Sequence, residues 1–196
     1  MFRTPLLVAL ALAIAFGVGI VTSVLALRAT IGFGAIALGP WKAFPQAQTA
    51  DADPYAKAHR AREGKLLLGG AEGLLFAATT DSAGRTLSSA CSYEVTGATP
   101  PARLWTLHAA SPRGRRLATT AGLPDGLTSW MVMRAADGSF VIQVSPTAKP
   151  GNWLAVPVAD APFELVLTLL DTPTAGSSGV IDLGMPAINR MGCADA

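Results

Sequence analysis

Residues 163–170 read Phe-Glu-Leu-Val-Leu-Thr-Leu-Leu, and this stretch decides the fold class. Large apolar residues occupy every second position: Phe163, Leu165, Leu167 and Leu169. Glu164 and Thr168 fall between them. Because successive side chains of a β-strand point to opposite faces, this period of two predicts a strand with one face in a core. Its other face, which carries Glu164, is predicted to point outward.

The same period recurs upstream, in short segments that glycine- and proline-containing turns separate. Strands are predicted at residues 74–80, 91–95 and 105–109. A hairpin is predicted to join residues 128–134 to residues 139–144 across a turn that contains Asp137-Gly138. These strands predict a mainly β domain, an antiparallel β-sandwich or jelly roll with one short helix.

That one helix is predicted to begin at Asp53-Pro54. Asp53 is suited to cap the helix N-terminus, and Pro54 is suited to the first helical position, where its missing N–H costs no hydrogen bond. A segment rich in alanine and charged residues follows over residues 55–68, and Gly69-Gly70 is expected to end the helix.

The N-terminus carries a long apolar segment, with no charged residue from Pro5 to Leu27. As a helix this segment is roughly 34 Å long, enough to cross a hydrocarbon core of about 30 Å. A signal peptide has a shorter apolar core of about 7–15 residues. Residues 5–27 are therefore predicted to be an uncleaved transmembrane helix in the lipid bilayer, with a cleaved signal or a buried core helix as the alternatives.

This anchor gives the predicted domain organisation. Residues 1–38 are the anchor and its exit from the membrane, residues 39–52 are a linker, and residues 53–196 are a single β-rich domain. Trp41 in the linker is expected either to lie near the lipid headgroups or to pack against the domain.

The charge balance argues against a nucleic-acid partner. The chain has 15 Lys and Arg against 13 Asp and Glu, but Arg3 and Arg28 flank the apolar segment and no acidic residue precedes Asp51. Without those two arginines the remainder is neutral. The group Arg113, Arg115 and Arg116 lacks the interleaved aromatic residues of a nucleic-acid-binding stripe, so no nucleic acid is expected to bind.

The two cysteines bear on the compartment, because Arg3 and Arg28 are too symmetric to orient the anchor. Cys91 and Cys193 are either a disulfide pair, as suits a domain outside the cytoplasm, or two free thiols. No histidine or further cysteine clusters near either residue, so no metal site is predicted.

Few residues suggest catalysis. The possible general bases are His59 and His108, and neither accompanies a Gly-x-Ser-x-Gly nucleophile motif. Phosphate- and dinucleotide-binding motifs are absent as well, so neither a cofactor nor a catalytic residue is predicted. Glu94 and Glu164 are the only carboxylates inside predicted strands, and both are expected on outer faces.

Ligand-binding candidates are His108 and the segment Pro150-Gly151-Asn152-Trp153. Trp153 is either an aromatic platform at the lip of a pocket, with Asn152 beside it, or a side chain that fills the core. His108 is either a ligand-binding residue or a half-exposed strand histidine with no such role.

An ordered set of segments resembles a known bacterial family. It comprises Asp53-Pro54-Tyr55, residues 76–85, Cys91-Ser92-Tyr93, Asp137-Gly138-Ser139-Phe140, Ser145-Pro146, residues 150–157 and Gly192-Cys193. From about Gly39 to Cys193 the chain resembles the domain of unknown function 1214, in a short membrane-anchored form. Residues 113–122 depart from the family pattern, because they lack an Asn-Pro-rich loop.

The resemblance implies a β-sandwich of the jelly-roll kind and supports pairing of Cys91 with Cys193. It supplies no catalytic residues. In longer relatives this domain follows a second one, the domain of unknown function 1254, so the resemblance implies a separately encoded partner of that type.

Together these expectations describe a single-pass protein of the bacterial inner membrane with its domain in the periplasm. Its expected role is that of a non-catalytic binding or accessory module that works with a partner protein. The alternative is an envelope hydrolase or carbohydrate-active enzyme.

Overall fold

The computed structural model describes residues 3–29, 35–45, 49, 52–63, 68, 72–173 and 184–193. The helices within these ranges are α1 (Arg3–Ala29) and α2 (Pro54–Glu63). The strands are β1 (Ile36–Leu38), β2 (Trp41–Ala43), β3 (Gly73–Ala78), β4 (Cys91–Gly97), β5 (Leu104–Ala110), β6 (Gly126–Thr128), β7 (Phe140–Ser145), β8 (Asn152–Ala155), β9 (Glu164–Leu170) and β10 (Ala187–Cys193).

The strands form two sheets, which confirms the predicted mainly β sandwich. The larger sheet has the order β1-β2-β3-β9-β5-β6, and all its pairs are antiparallel. The smaller sheet has the order β10-β4-β7-β8, and it is mixed because β7 and β8 run parallel.

The inner faces of the two sheets pack into one hydrophobic core. Aromatic pairs join the sheets: the ring centroids of Trp105 and Phe140 are 5.2 Å apart, and Tyr93 meets Phe163 edge-on at 5.9 Å. Such contacts add to the burial free energy of the rings themselves. The core therefore depends on strands that are distant in sequence.

Strand β9 is central to the larger sheet, which explains one departure from the sequence prediction. Glu164 was expected on an outward face, yet it is buried, as are Leu165, Val166 and Leu167. Neighbouring strands and the loops that cover the sheet bury both faces of this strand. A period of two identifies the strand but cannot show that its second face is covered.

The larger sheet begins earlier in the chain than the predicted domain. Strands β1 and β2 lie within residues assigned to the membrane exit and the linker, and Trp41 pairs in register with Ala78. Trp41 is fully buried, and its indole N–H donates to the carbonyl of Pro186 at 2.7 Å. Of the two expectations for Trp41, packing against the domain is the one confirmed.

The predicted hairpin of residues 128–134 with residues 139–144 is wrong. Strand β6 ends at Thr128 and pairs with β5, whereas β7 pairs with β4 and β8. Residues 129–134 form a loop, in which Val132 is buried while Trp130 and Met131 face solvent. Its apolar residues therefore have no inner face of a sheet to occupy.

The two helices lie outside the sandwich. Asp53 caps α2 as predicted, because its Oδ2 accepts the N–H of Ala56 at 2.9 Å. The helix end expected at Gly69-Gly70 lies outside the described residues. In α1, residues Arg3–Ala26 are long and apolar enough to cross a membrane, and their large apolar side chains are exposed along the helix.

Candidate functional site

The three predicted ligand-binding residues do not form one site. Trp153 and Asn152 lie on β8 of the smaller sheet, and His108 lies on β5 of the larger one. Trp153 is half-buried, and its indole N–H donates to the carbonyl of Ser145 at 3.0 Å. The interpretation of Trp153 as a core residue is therefore wrong, and ligand binding by these residues stays a prediction.

Asn152 has a structural contact that the sequence does not reveal. Its Oδ1 accepts the N–H of Met133 at 2.7 Å, and its Nδ2 donates to the carbonyls of Met133 at 2.8 Å and Val141 at 2.9 Å. Asn152 therefore clamps the loop of residues 129–134, called the Trp130 loop from here on.

His108 lies on the outer face of the larger sheet, opposite Gly126. Partial burial lowers the pKa of His108, and the charge of Arg116 lowers it further, against a smaller opposing effect of Asp125. Arg116 and Asp125 form an exposed ion pair at 3.1 Å. The missing side chain of Gly126 leaves the space that the Arg116 guanidinium occupies.

The carboxylates considered for catalysis lie on different sheets. Glu94 is on β4, half-buried, and accepts a hydrogen bond from Nε2 of Gln143 at 2.9 Å. Glu164 is buried in β9. The structure does not bring these two carboxylates together across one cleft.

Cys91 and Cys193 face each other across the β4–β10 pair and form a disulfide. The bond joins positions 102 residues apart. Cys91 is the first residue of β4 and Cys193 the last of β10, so the disulfide fastens the edge strand of the smaller sheet.

The structure reveals an open cleft that the sequence does not indicate. Its volume is about 340 Å³, and it lies between the segment before β5 and the Trp130 loop. The described residues that line it are Thr99, Pro100, Pro101, Ala102, Arg103, Trp105, Ser129, Trp130 and Arg134. One wall is held in place by Thr172, whose hydroxyl donates to the carbonyl of Pro101 at 2.6 Å.

Trp105 is the deepest aromatic residue of the cleft, with 2% of its surface exposed. Its indole N–H is buried and has no hydrogen-bond acceptor among the described residues. A buried indole N–H usually finds an acceptor, as those of Trp41 and Trp153 do. The cleft therefore contains an unpaired buried donor.

Two guanidinium groups border the cleft. The Cζ of Arg134 lies 5.7 Å from the centroid of the Trp105 ring, and its Nη2 donates to the carbonyl of Ser129 at 3.3 Å. Arg103 is largely exposed and pairs with Asp171 at 3.0 Å. Among the described residues, Arg134 has no carboxylate partner.

The Trp130 loop exposes large apolar side chains beside the cleft. The exposed fractions are 85% for Trp130, 61% for Met131 and 64% for Met133. Sequence reasoning missed this surface because alternation within residues 128–134 suggested a strand with one buried face. The available signal was the crowding of Trp and Met into a segment that ends at Arg134.

The fold and the cleft define a small β-sandwich domain with an open site beside an exposed apolar loop. Residues 72–174 match the family described as "Protein of unknown function (DUF1214)", which is more than half of the chain. The chain therefore belongs to this family, as its sequence resemblance predicted. No curated protein matches the chain.

Solved structures of two proteins are similar to this chain. One is the VPA0106 protein from Vibrio parahaemolyticus, at 20% identity and a TM-score of 0.58, covering 75% of this chain and 37% of that one. The other is an uncharacterized protein from Burkholderia cenocepacia, at 18% identity and a TM-score of 0.43, covering 77% of this chain and 47% of that one. The chain thus spans less than half the length of either structure, and the first shares its fold.

Proposed function

We infer that this protein is a membrane-anchored accessory module of the bacterial cell envelope, whose domain binds a separately encoded partner protein. The observation that carries this proposal is the exposed apolar surface of the Trp130 loop, formed by Trp130, Met131 and Met133. Adjacent exposed apolar side chains of this size mark interaction sites, and Trp and Met are enriched in protein interfaces.

The loop is held in one shape before any partner arrives. Asn152 makes three hydrogen bonds to the backbones of Met133 and Val141, and the N–H of Met131 donates to the carbonyl of Thr128 at 3.0 Å. A preorganised surface loses less conformational entropy on binding, so its apolar area contributes more to affinity.

The membrane assignment rests on α1 and on the disulfide. The exposed apolar side chains of α1 would be costly in water and are suited to lipid. A disulfide between Cys91 and Cys193 suits an oxidising compartment. Both features support one transmembrane helix in the inner membrane, with the sandwich in the periplasm.

The partner is proposed from the family resemblance. A short copy of this domain works beside a protein of the domain-of-unknown-function-1254 type, which longer relatives carry in the same chain. The Trp130 loop is the proposed contact surface, because its apolar side chains need a cover.

Site-specific photocrosslinking in intact cells tests this proposal. A benzophenone amino acid is placed at Met131, and the matched control is placed at Val158, which is 87% exposed and lies between β8 and β9. We expect position 131 to capture a protein of the 1254 type in the membrane fraction and position 158 to capture none. Capture of no such protein from position 131, or equal capture from both positions, would refute the assignment.

A further inference from the structure

We propose that the cleft at Trp105 binds a small organic acid, with a carboxylate on Arg134 and a flat apolar body against Trp130. This site is distinct from partner docking, because Met131 and Met133 do not line the cleft. Three features of the cleft carry the proposal: an unpaired donor, a guanidinium without a carboxylate, and an exposed aromatic wall.

The unpaired donor is the indole N–H of Trp105. Leaving a buried donor without an acceptor costs about 1–3 kcal/mol. Trp105 lines the cleft, so an oxygen atom of a bound molecule is the acceptor that this position lacks. A ligand with an oxygen acceptor would therefore recover a hydrogen bond that the unliganded domain does not make.

The guanidinium of Arg134 determines the charge of the ligand. Its position over the Trp105 ring and its bond to Ser129 hold the group beside the cleft. The described lining residues include Arg103 and Arg134 but no aspartate or glutamate. A planar guanidinium binds a carboxylate through two parallel hydrogen bonds, so the local charge favours an anion of that shape.

The walls of the cleft determine the body of the ligand. Trp130 stands at the lip with 85% of its surface exposed, and Pro100 and Pro101 form part of the opposite segment. A flat apolar group can stack on the indole while the prolines cover its other side. A volume of about 340 Å³ suits a molecule of one ring and a short acid arm.

Phenylacetate and phenylacetamide are suitable probes, because they differ in charge but hardly in shape. The full chain in detergent micelles, with ¹⁵N-labelled indoles, reports each Trp N–H separately. We expect phenylacetate to shift the N–H signals of Trp105 and Trp130 saturably while those of Trp41 and Trp153 stay in place. Phenylacetamide should bind at least about tenfold more weakly, a difference of about 1.4 kcal/mol.

Two variants complete the test. Arg134→Met should weaken phenylacetate binding at least about tenfold, whereas Arg113→Met, at an exposed arginine in the turn after β5, should change nothing. An unchanged Trp41 signal shows that each variant is folded. Equal binding of the acid and the amide, tighter binding of phenyl phosphate, or full affinity in Arg134→Met would overturn the proposal. Failure of partner crosslinking at Met131 leaves these measurements unaffected, so the two proposals fail separately.

Discussion

The two ends of the larger sheet treat their polar groups in opposite ways. At one end, β3 leads into the turn at Asp81, where a carboxylate that is 1% exposed accepts three hydrogen bonds. Its donors are the N–H groups of Ala83 and Arg85 and the Nε of Arg85, and Arg190 adds an ion pair at 3.4 Å. The charge is buried, but it is compensated.

At the other end, the start of β5 leads into the cleft. There the buried N–H of Trp105 has no acceptor among the described residues, and Trp130 is exposed. Buried polar groups are normally paired, and large apolar groups normally covered. The Asp81 end therefore satisfies the requirements of a stable fold, and the cleft end departs from them in a way that a bound molecule would correct.

Removing the disulfide should have the largest effect on this comparison. Replacing both Cys91 and Cys193 with alanine should lower the free energy of unfolding by about 2–5 kcal/mol, because the bond constrains a long loop of the unfolded chain. Urea unfolding of the full chain in detergent measures the loss. Reductant should destabilise the wild type equally and leave the variant unchanged; a wild type indifferent to reductant would contradict the prediction.

Asp81→Asn should have the next largest effect, about 2–3 kcal/mol, because it removes the charge that Arg85 and Arg190 share. The matched control is Asp137→Asn, since Asp137 makes a similar turn with Ser139 but is exposed. Chemical unfolding at pH 7 measures both. Equal losses in the two variants would show that burial of Asp81 is irrelevant.

The pH dependence of Asp81→Asn follows from its pKa. Burial by itself would raise the pKa of Asp81, but the hydrogen bonds from Arg85 and Ala83 and the charge of Arg85 outweigh burial, so the pKa is lowered. The stabilising contribution is therefore complete above the ordinary pKa of 3.8 and is lost as the pH falls through the folded-state pKa. The difference between wild type and variant should shrink below about pH 4.

Asn152→Ala should cost about 1–2 kcal/mol and loosen the cleft end selectively, because it removes the clamp on Met133. Hydrogen exchange at the Met133 amide should accelerate, while exchange in β4 stays slow. Asn189→Ala is the control, since the exposed Asn189 makes a single long contact to Thr96 at 3.5 Å. If both variants behave alike, Asn152 does not hold the Trp130 loop.

Trp105→Phe should cost less than Trp41→Phe, because the first removes an unpaired donor and the second breaks a bond to Pro186. We expect a loss of at most about 1 kcal/mol at position 105 and about 1–3 kcal/mol at position 41. Thermal or urea unfolding compares the two variants. An equal or larger loss at position 105 would mean that its indole N–H is satisfied after all.

His108→Gln should give the smallest effect, and only in acid. Burial, with help from Arg116, lowers the pKa of His108, so the unfolded chain takes up a proton first as the pH falls below about 6.5. This histidine thus destabilises the fold at low pH and is neutral in effect above pH 7. The variant should lose less stability than the wild type between pH 7 and pH 5; parallel curves would contradict the lowered pKa.

Local patterns were enough for several elements. The alternation over residues 163–170 predicted β9, Asp53 predicted the cap of α2, and the resemblance supported the Cys91–Cys193 pair. Each depends on a short period or on residues whose chemistry is specific. The cleft could not be predicted in this way, because Trp105 and Arg134 meet only after β5 and the Trp130 loop come together.

By itself, the sequence determined a mainly β domain behind an apolar N-terminal helix, since periodicity and apolar length are properties of consecutive residues. Tertiary structure alone decided that Trp41 is buried, that Glu164 lies in a strand covered on both faces, and that Trp130 and Met131 face solvent. The reason is physical: burial and hydrogen bonding depend on which distant segments meet. The β-strand at residues 163–170 shows both sides, because its alternation predicts a strand while its neighbours determine that Glu164 is buried.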